Sequence, residues 1–137
     1  MIKKGNMEIT KEMIENGVAV DLLVEGCDEL VELAKDDYKA WSDLSSKYDG
    51  DTESRRKIKD DMIADYNREI HYYAGSKYIK VVTGSSVWGF VVKVHNDKKF
   101  RFGDILKAAG WKTPARNFAR GNVIDREFRG VSWTGAG

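Results

Sequence analysis

The chain has 137 residues, of which 42% are hydrophobic and 33% are charged, and its formal net charge is +1. This length suits one domain, and the apolar runs are too short to span a membrane, so we expect a cytoplasmic protein. The single cysteine, Cys27, excludes an internal disulfide and a cysteine-based zinc cluster. Two histidines are too few to predict a metal site, so we expect no metal and no cofactor.

The charge is divided unequally along the chain. Residues 1–75 carry 11 Lys and Arg against 18 Asp and Glu, a net −7, whereas residues 76–137 carry 12 against 4, a net +8. A basic segment of this kind points to an anionic partner. The alternative is that the two halves neutralise each other, within one chain or across an oligomer.

Two long helices are predicted in the acidic half, because apolar residues recur there at steps of three and four. They form one antiparallel helical hairpin over about residues 18–75, joined near Thr52. The first stripe is Leu23, Cys27, Leu30, Ala34, Tyr38, Trp41, Leu44 and Tyr48, and the second is Ile58, Met62, Tyr66, Ile70 and Tyr73. These stripes exceed what one facing helix covers, so we expect a homo-oligomer, a dimer or larger.

Period-two patterns replace the helical ones after Ser76. Strands are predicted over Tyr78–Val82, Val87–His95 and Phe100–Phe102, which gives a small three-stranded antiparallel sheet. The alternation places Trp88, Phe90, Val92 and Val94 on one face. Gly89 predicts a close approach to the sheet, and the last four residues, 134–137, are expected to be loose.

Two short helices are predicted in the block from Phe100 to Asn122. The first is Ile105–Ala109, capped by Asp104, and the second is Pro114–Arg120. The fold class is therefore α+β, in one domain of residues 1–137, with the sheet and the short helices in about residues 76–137.

The second short helix carries the candidate site. Arg116 and Arg120 are four residues apart and share a face, and Asn117 lies beside them. A helix N-terminus, two guanidinium groups and an amide make an anion pocket plausible. The alternative is a solvated surface helix that only closes the fold.

No catalytic motif accompanies this block, so we expect a binding protein and not an enzyme. Aromatic residues interleave with Lys and Arg between Trp88 and Arg120, and that combination holds bases by stacking and phosphates by charge-assisted hydrogen bonds. The acidic half would repel a long polynucleotide, which favours a small nucleotide.

The sequence KFRFGDILKAAGWKTPARNFARGNVI, Lys99–Ile124, resembles the C-terminal block of small phage proteins of the Thoeris anti-defence type 1 group. The resemblance implies a sponge that sequesters cyclic ADP-ribose isomers made by bacterial TIR-domain enzymes, without cleaving them. It also implies an oligomer that acts in the host bacterial cytoplasm to block anti-phage immunity. Some members of that group bind cyclic oligonucleotides at a separate site.

The resemblance also implies roles for individual residues. Phe90 corresponds to the aromatic residue of the sheet that stacks on the ligand, and Arg116 and Arg120 to the arginine pair that contacts base and phosphates. Asn117 and Asn122 are candidates because they are adjacent, and Asn96 is the candidate for a further polar contact.

Three other functions stay open at the level of sequence, one of which is an enzyme that degrades the signal nucleotide. The same aromatic and arginine surface suits a single-stranded nucleic-acid-binding protein, whose affinity falls steeply with salt. The helical hairpin suits an inhibitor of a host protein, for which Arg116 and Arg120 are dispensable.

Overall fold

The structure, a computed structural model, describes residues 3–4, 7–8, 18–49 and 52–137. Within these residues it is α+β, with two helices and an antiparallel five-stranded sheet whose strands are neighbours in chain order. The helices are α1 (Val18–Asp49) and α2 (Glu53–Glu69). The strands are β1 (Lys3–Lys4), β2 (Met7–Glu8), β3 (Ile70–Ala74), β4 (Tyr78–Thr83), β5 (Ser86–Val92), β6 (Asp104–Leu106), β7 (Gly121–Asn122), β8 (Val131–Ser132) and β9 (Gly135–Ala136).

Helices α1 and α2 pack against each other in antiparallel orientation. Tyr38 of α1 stacks on Tyr66 of α2 with ring centres 4.5 Å apart, and Lys59 pairs with Asp43 at 3.0 Å. Thr52 caps α2, because its hydroxyl accepts a hydrogen bond from Arg55 N. Neither described helix is both long and apolar enough to cross a bilayer.

The hairpin ends earlier than predicted. Helix α2 stops at Glu69, and Ile70–Ala74 form the edge strand β3 instead of a last helical turn. The apolar residues Ile70 and Tyr73 fit a helical period, but Ile70 and Tyr72 alternate as buried residues along the strand. Pairing with β4 therefore overrides the helical pattern here.

The predicted three-stranded sheet is also wrong in its third strand, because Phe100–Phe102 is not a strand. The backbone N–H of Phe100 donates to the Asp97 carboxylate at 2.9 Å, and that of Arg101 donates to Asp104 at 2.8 Å. These carboxylates take the place of a strand partner. The sheet is extended instead by β6 and β7.

Neither predicted C-terminal helix forms. Asp104–Leu106 is strand β6, in which Ile105 and Leu106 point into different cores, and residues 107–120 are irregular. Asp104 does not cap a helix, since its carboxylate accepts from Arg101 N. Pro114 forms an isolated bridge with Ala108 and does not begin a helix.

Both faces of the sheet are buried, in two separate cores. The first core joins the sheet to α1 and α2 through residues that include Leu30, Val81 and Val91. The second lies on the opposite face and contains Phe90, Val92, Val94, Phe100 and Leu106. Residues 93–101 and 107–120 supply the cover of this second face, and their Ala108 and Ala119 pack against it.

Trp88 lies in the first core, not with Phe90 as the alternation predicted. Val81 pairs with Gly89 and Val82 with Val87, so a β-bulge at Trp88 shifts the alternation by one residue. The Trp88 indole N–H donates to Ser132 O at 2.8 Å.

Gly135 and Ala136 form strand β9, against the expectation that the last four residues are loose. Ala136 is buried, and a Cβ placed on Gly89 would lie 2.9 Å from Leu106 O and 3.6 Å from the Ala136 side chain. The close approach predicted at Gly89 is thus made by other parts of the same chain.

The part of the hairpin between Tyr38 of α1 and Tyr66 of α2 carries exposed apolar side chains. They are Trp41, Leu44, Ile58 and Met62. Helices of this kind often meet a partner, so oligomerisation stays a prediction.

We predict that light scattering at micromolar concentration gives a dimer or larger species. The double substitution Ile58→Lys and Met62→Lys should reduce it, because two charges in an apolar contact cost desolvation energy. Asn67→Lys, on the exposed part of α2, is the control. A monomeric wild-type chain would contradict the prediction.

Gly26 provides a test of the packing between α1 and the segment after β7. A Cβ at Gly26 would lie 2.6 Å from Val123 O and 2.9 Å from Arg126 Nη1. Alanine in a helix interior normally stabilises by about 1 kcal/mol over glycine. Here we predict that Gly26→Ala lowers the free energy of unfolding by about 1–3 kcal/mol, as overpacked sites do. Urea denaturation measures this, and a stabilised variant would refute the close packing.

Candidate functional site

The predicted site residues do not form one pocket: they line two clefts, while Phe90 lies in the second core and Asn117 is exposed outside both clefts. Arg120 and Asn122 line one cleft of about 650 Å³, here called the Phe118 cleft. Arg116 and Asn96 line another of about 520 Å³, called the Asp97 cleft. These clefts share no lining residue, because Arg116 and Arg120 lie on an irregular segment and not on one helix face.

Asp97 is the centre of its cleft. Its side chain is inaccessible to solvent. Its Oδ1 accepts hydrogen bonds from the backbone N–H of Lys99 at 2.8 Å and of Phe100 at 2.9 Å, and from Arg116 Nη2 at 3.0 Å. Lys77 Nζ lies 3.1 Å from Oδ2. One carboxylate therefore joins the β3–β4 turn, the turn before Phe100 and the segment of Arg116.

These contacts hold the pKa of Asp97 well below its usual range. The hydrogen bond from Arg116 is the largest cause, the two backbone N–H groups and Lys77 add to it, and burial acts in the opposite direction. Asp97 is consequently ionised in the folded protein at neutral pH, and its charge offsets those of Arg116 and Lys77.

Arg116 is occupied by internal partners. Besides Asp97, it donates from Nη1 to the Tyr78 hydroxyl at 2.5 Å, and its guanidinium lies 4.9 Å from the centre of the Phe100 ring. The hydrogen bond to Asp97 raises its pKa further. Arg116 thus anchors the covering segment to the sheet, and it lines the Asp97 cleft.

Arg120 has a different environment. Its guanidinium lies 3.8 Å from the centre of the Phe118 ring, and Nη1 donates to Phe118 O at 3.3 Å. No carboxylate of the described residues lies within ion-pairing distance of it, although Arg101 and Arg129 in the same cleft pair with Asp125 and Glu127. Arg120 therefore has no direct ion-pair partner among the described residues, although the cleft lining holds three carboxylates beside its three arginines.

Phe118 itself is 57% exposed, which is unusual for a phenylalanine ring. The backbone beneath it is closely packed, since a Cβ on Gly130 would lie 2.5 Å from Arg120 O. Gly121 has φ +156, and a Cβ there would lie 2.3 Å from Glu127 O. The Phe118 ring and the Arg120 guanidinium therefore extend from closely packed backbone.

The other predicted site residues are buried or form hydrogen bonds within the protein. Phe90 is buried in the second core against Tyr78, with ring centres 5.8 Å apart, and lines neither cleft. Asn122 is buried, and its amide donates to Asp104 at 2.9 Å while its carbonyl accepts from Ile124 N at 2.8 Å. Asn117 is exposed and accepts from Phe118 N.

Sequence reasoning missed Asp97 and Phe118. Asp97 lies in a predicted turn, where an aspartate commonly accepts backbone hydrogen bonds, so its role there had a signal. Its burial and its two cationic partners come from residues 19 to 20 positions away and had none. Phe118 was one of several aromatic residues among the cations, and only the structure shows which ring is exposed.

In the described part of the chain, no group of three or more His, Cys, Asp or Glu side chains is placed to hold a metal ion. Cys27 is fully buried, and this burial raises the pKa of its thiol. It belongs to the first core, as its place in the helical stripe predicted.

A protein-family model, described as a family of unknown function (DUF7717), matches residues 9–136. No curated protein and no solved structure matches the chain.

We predict that Asp97→Asn lowers the free energy of unfolding by about 1–3 kcal/mol at neutral pH, because Arg116 and Lys77 lose their counter-ion. The folded pKa of Asp97 is depressed, so its contribution is present above the unfolded pKa of about 3.9 and is lost as the pH falls below it. The difference between wild type and variant should therefore narrow below about pH 4.

Urea denaturation over a series of pH values measures this difference. Asp125→Asn is the matched control, because its ion pair with Arg101 is exposed and should contribute less than about 1 kcal/mol. A difference between wild type and Asp97→Asn that is independent of pH would contradict the prediction.

Proposed function

This chain belongs to the DUF7717 family of unknown function, and we propose that it binds a small nucleotide in the Phe118 cleft and sequesters it without converting it. Cyclic ADP-ribose isomers, which the resemblance of Lys99–Ile124 implies, are the first ligands to test, and cyclic oligonucleotides are the second. In a phage-infected host, such binding would remove an immune signal from the cytoplasm.

One observation carries this proposal: an exposed aromatic ring and an unpaired guanidinium stand together at the Phe118 cleft. The Arg120 guanidinium lies 3.8 Å from the Phe118 ring centre and has no carboxylate partner in the described part of the chain. A base can stack on such a ring, while the planar fork of arginine binds a phosphate through two parallel hydrogen bonds.

The size of the cleft is consistent with this class of ligand. Its volume of about 650 Å³ lies within the range of about 300–1,000 Å³ found for small-molecule sites. The backbone around Gly121 and Gly130 is close-packed, so the site is pre-organised and little ordering is needed on binding.

Phe118 takes the stacking role in this proposal, because Phe90 is enclosed by the second core. Arg116 contributes through its ion pair with Asp97, which fixes the segment that leads to Phe118 and Arg120. Direct contact of Arg116 with the same ligand remains a prediction of the resemblance.

We predict that Arg120→Ala weakens nucleotide binding by about 1.5–3 kcal/mol, the range for hydrogen bonds to charged groups. Arg120→Lys should also weaken it, since lysine keeps the charge and loses the planar fork. Phe118→Ala should cost about 1–3 kcal/mol of binding through lost stacking. Isothermal titration with a cyclic ADP-ribose isomer measures all three.

Arg129→Ala is the matched control, because Arg129 lines the same cleft but pairs with Glu127 at 2.8 Å and is highly exposed. Its affinity should remain near that of wild type. Equal affinities for wild type, Arg120→Ala and Phe118→Ala would refute the Phe118 cleft as the site. Intact ligand recovered from heat-denatured complex supports sequestration, whereas a cleaved product would establish an enzyme.

A further inference from the structure

The structure separates the opposite charges of the chain onto the two faces of the sheet. Helices α1 and α2 carry most of the acidic residues and pack on the face of the first core. From Ile70 to Ile124 the chain has ten Lys and Arg but only two acidic residues, Asp97 and Asp104, and both carboxylates are buried. The second face and its cover are therefore basic.

This arrangement changes the expectation drawn from the sequence. The acidic half was expected to repel a long polynucleotide, but its helices lie behind the sheet as seen from the second face. A polyanion that approaches the second face therefore meets lysine and arginine side chains before it meets the acidic helices.

Two exposed aromatic rings flank a buried lysine on this face. Tyr73 of β3 and Lys80 of β4 are directly paired across the strands. The Lys80 ammonium lies 3.7 Å from the centre of the Trp111 ring and 6.0 Å from that of Tyr73. Trp111 is 49% exposed and Tyr73 is 39% exposed, whereas Lys80 is only 9% exposed.

Lys80 has an unusual set of contacts for a buried cation. Among the described residues, no carboxylate pairs with it and no acceptor hydrogen-bonds to it, so its contacts are the faces of the aromatic rings. Cation–π contact offsets part of the cost of burying the charge. Three N–H donors at the base of an exposed aromatic surface are thus available to an anion.

The position of Trp111 is fixed by its loop. The backbone N–H groups of Ala109 and Gly110 both donate to Thr113 O, at 2.9 and 3.0 Å, and Ala108 pairs with Pro114. An ordered loop of this kind presents the indole ring at its end at a small entropic cost.

We propose that Tyr73, Lys80 and Trp111 form a binding surface for single-stranded nucleic acid, separate from the Phe118 cleft. Bases stack on the Trp111 and Tyr73 rings, the Lys80 ammonium receives a phosphodiester oxygen, and Lys107 and Lys112 add to the positive potential. Stacking on open rings requires unpaired bases, so the surface selects single strands over duplexes.

The test is a fluorescence anisotropy titration of the full chain with a labelled oligothymidylate of about twelve nucleotides. Trp111→Ala should lower the affinity roughly 5- to 150-fold, the effect of one lost base stack. Trp41→Ala is the matched control, because Trp41 is 45% exposed on the acidic hairpin, and its affinity should equal that of wild type.

Lys80→Met keeps the apolar stem and removes the charge. It should lower the affinity and reduce the slope of log affinity against log salt concentration by about 1. Circular dichroism and thermal unfolding establish that each variant is folded, and Tyr73→Leu gives a second stacking variant if Trp111→Ala does not fold.

Three outcomes would overturn the proposal: no binding of the oligonucleotide by wild type at about 50 mM salt, equal losses for Trp111→Ala and Trp41→Ala, or equal affinity for a duplex of the same length. The Phe118 cleft is tested separately with the same proteins. Arg120→Ala should bind the oligonucleotide normally, and Trp111→Ala should bind the cyclic nucleotide normally.

Discussion

Burial of both faces of a five-stranded sheet is the constraint on which the rest of this structure depends. The two helices cover one face, and no further helix of the described residues is present to cover the other. An irregular segment, residues 93–101 and 107–120, has to do so. Such a segment lacks the regular hydrogen bonds of a helix or strand. It is held by individual backbone hydrogen bonds, such as the one from Arg120 N to Ile105 O at 2.7 Å, and by the buried Asp97 carboxylate with Arg116 and Lys77.

The same constraint explains why the candidate sites lie where they do. A cover without regular structure leaves gaps and projecting rings, and Phe118 and Trp111 both belong to it. Its cations lie on the opposite side of the sheet from the acidic helices. An irregular cover on a sheet thus holds exposed rings and cations on a regular framework.

The sequence was most informative where one pattern extended over many residues. The apolar stripe from Leu23 to Tyr38 predicted α1, and the alternation after Ser76 predicted β4 and β5. The sequence was least informative where contacts between residues that are distant along the chain decide the structure. Asp104 and Pro114 are typical of helix starts. However, Ile105 and Leu106 are buried in different cores on opposite faces of the sheet, as successive residues of a strand are.

The candidate site shows the same division. The residue types were correctly recognised as suited to anions, but spacing alone placed Arg116 and Arg120 on one helical face. Arg116 is turned to Asp97 and Arg120 to Phe118, because partners 19 residues away and 2 residues away, respectively, determine their orientation. Trp88 is a similar case, since a single bulge in its pairing with β4 moved it to the other face.

The docking of the β8–β9 hairpin has a consequence for how the chain folds during synthesis. Trp133 N donates to Asp37, 96 positions earlier, and the Tyr66 hydroxyl donates to Trp133 O. Helix α1 therefore leaves the ribosome long before the segment that shields its aromatic residues. The contact closes only after Trp133 has been synthesised, and contacts of such large sequence separation slow folding.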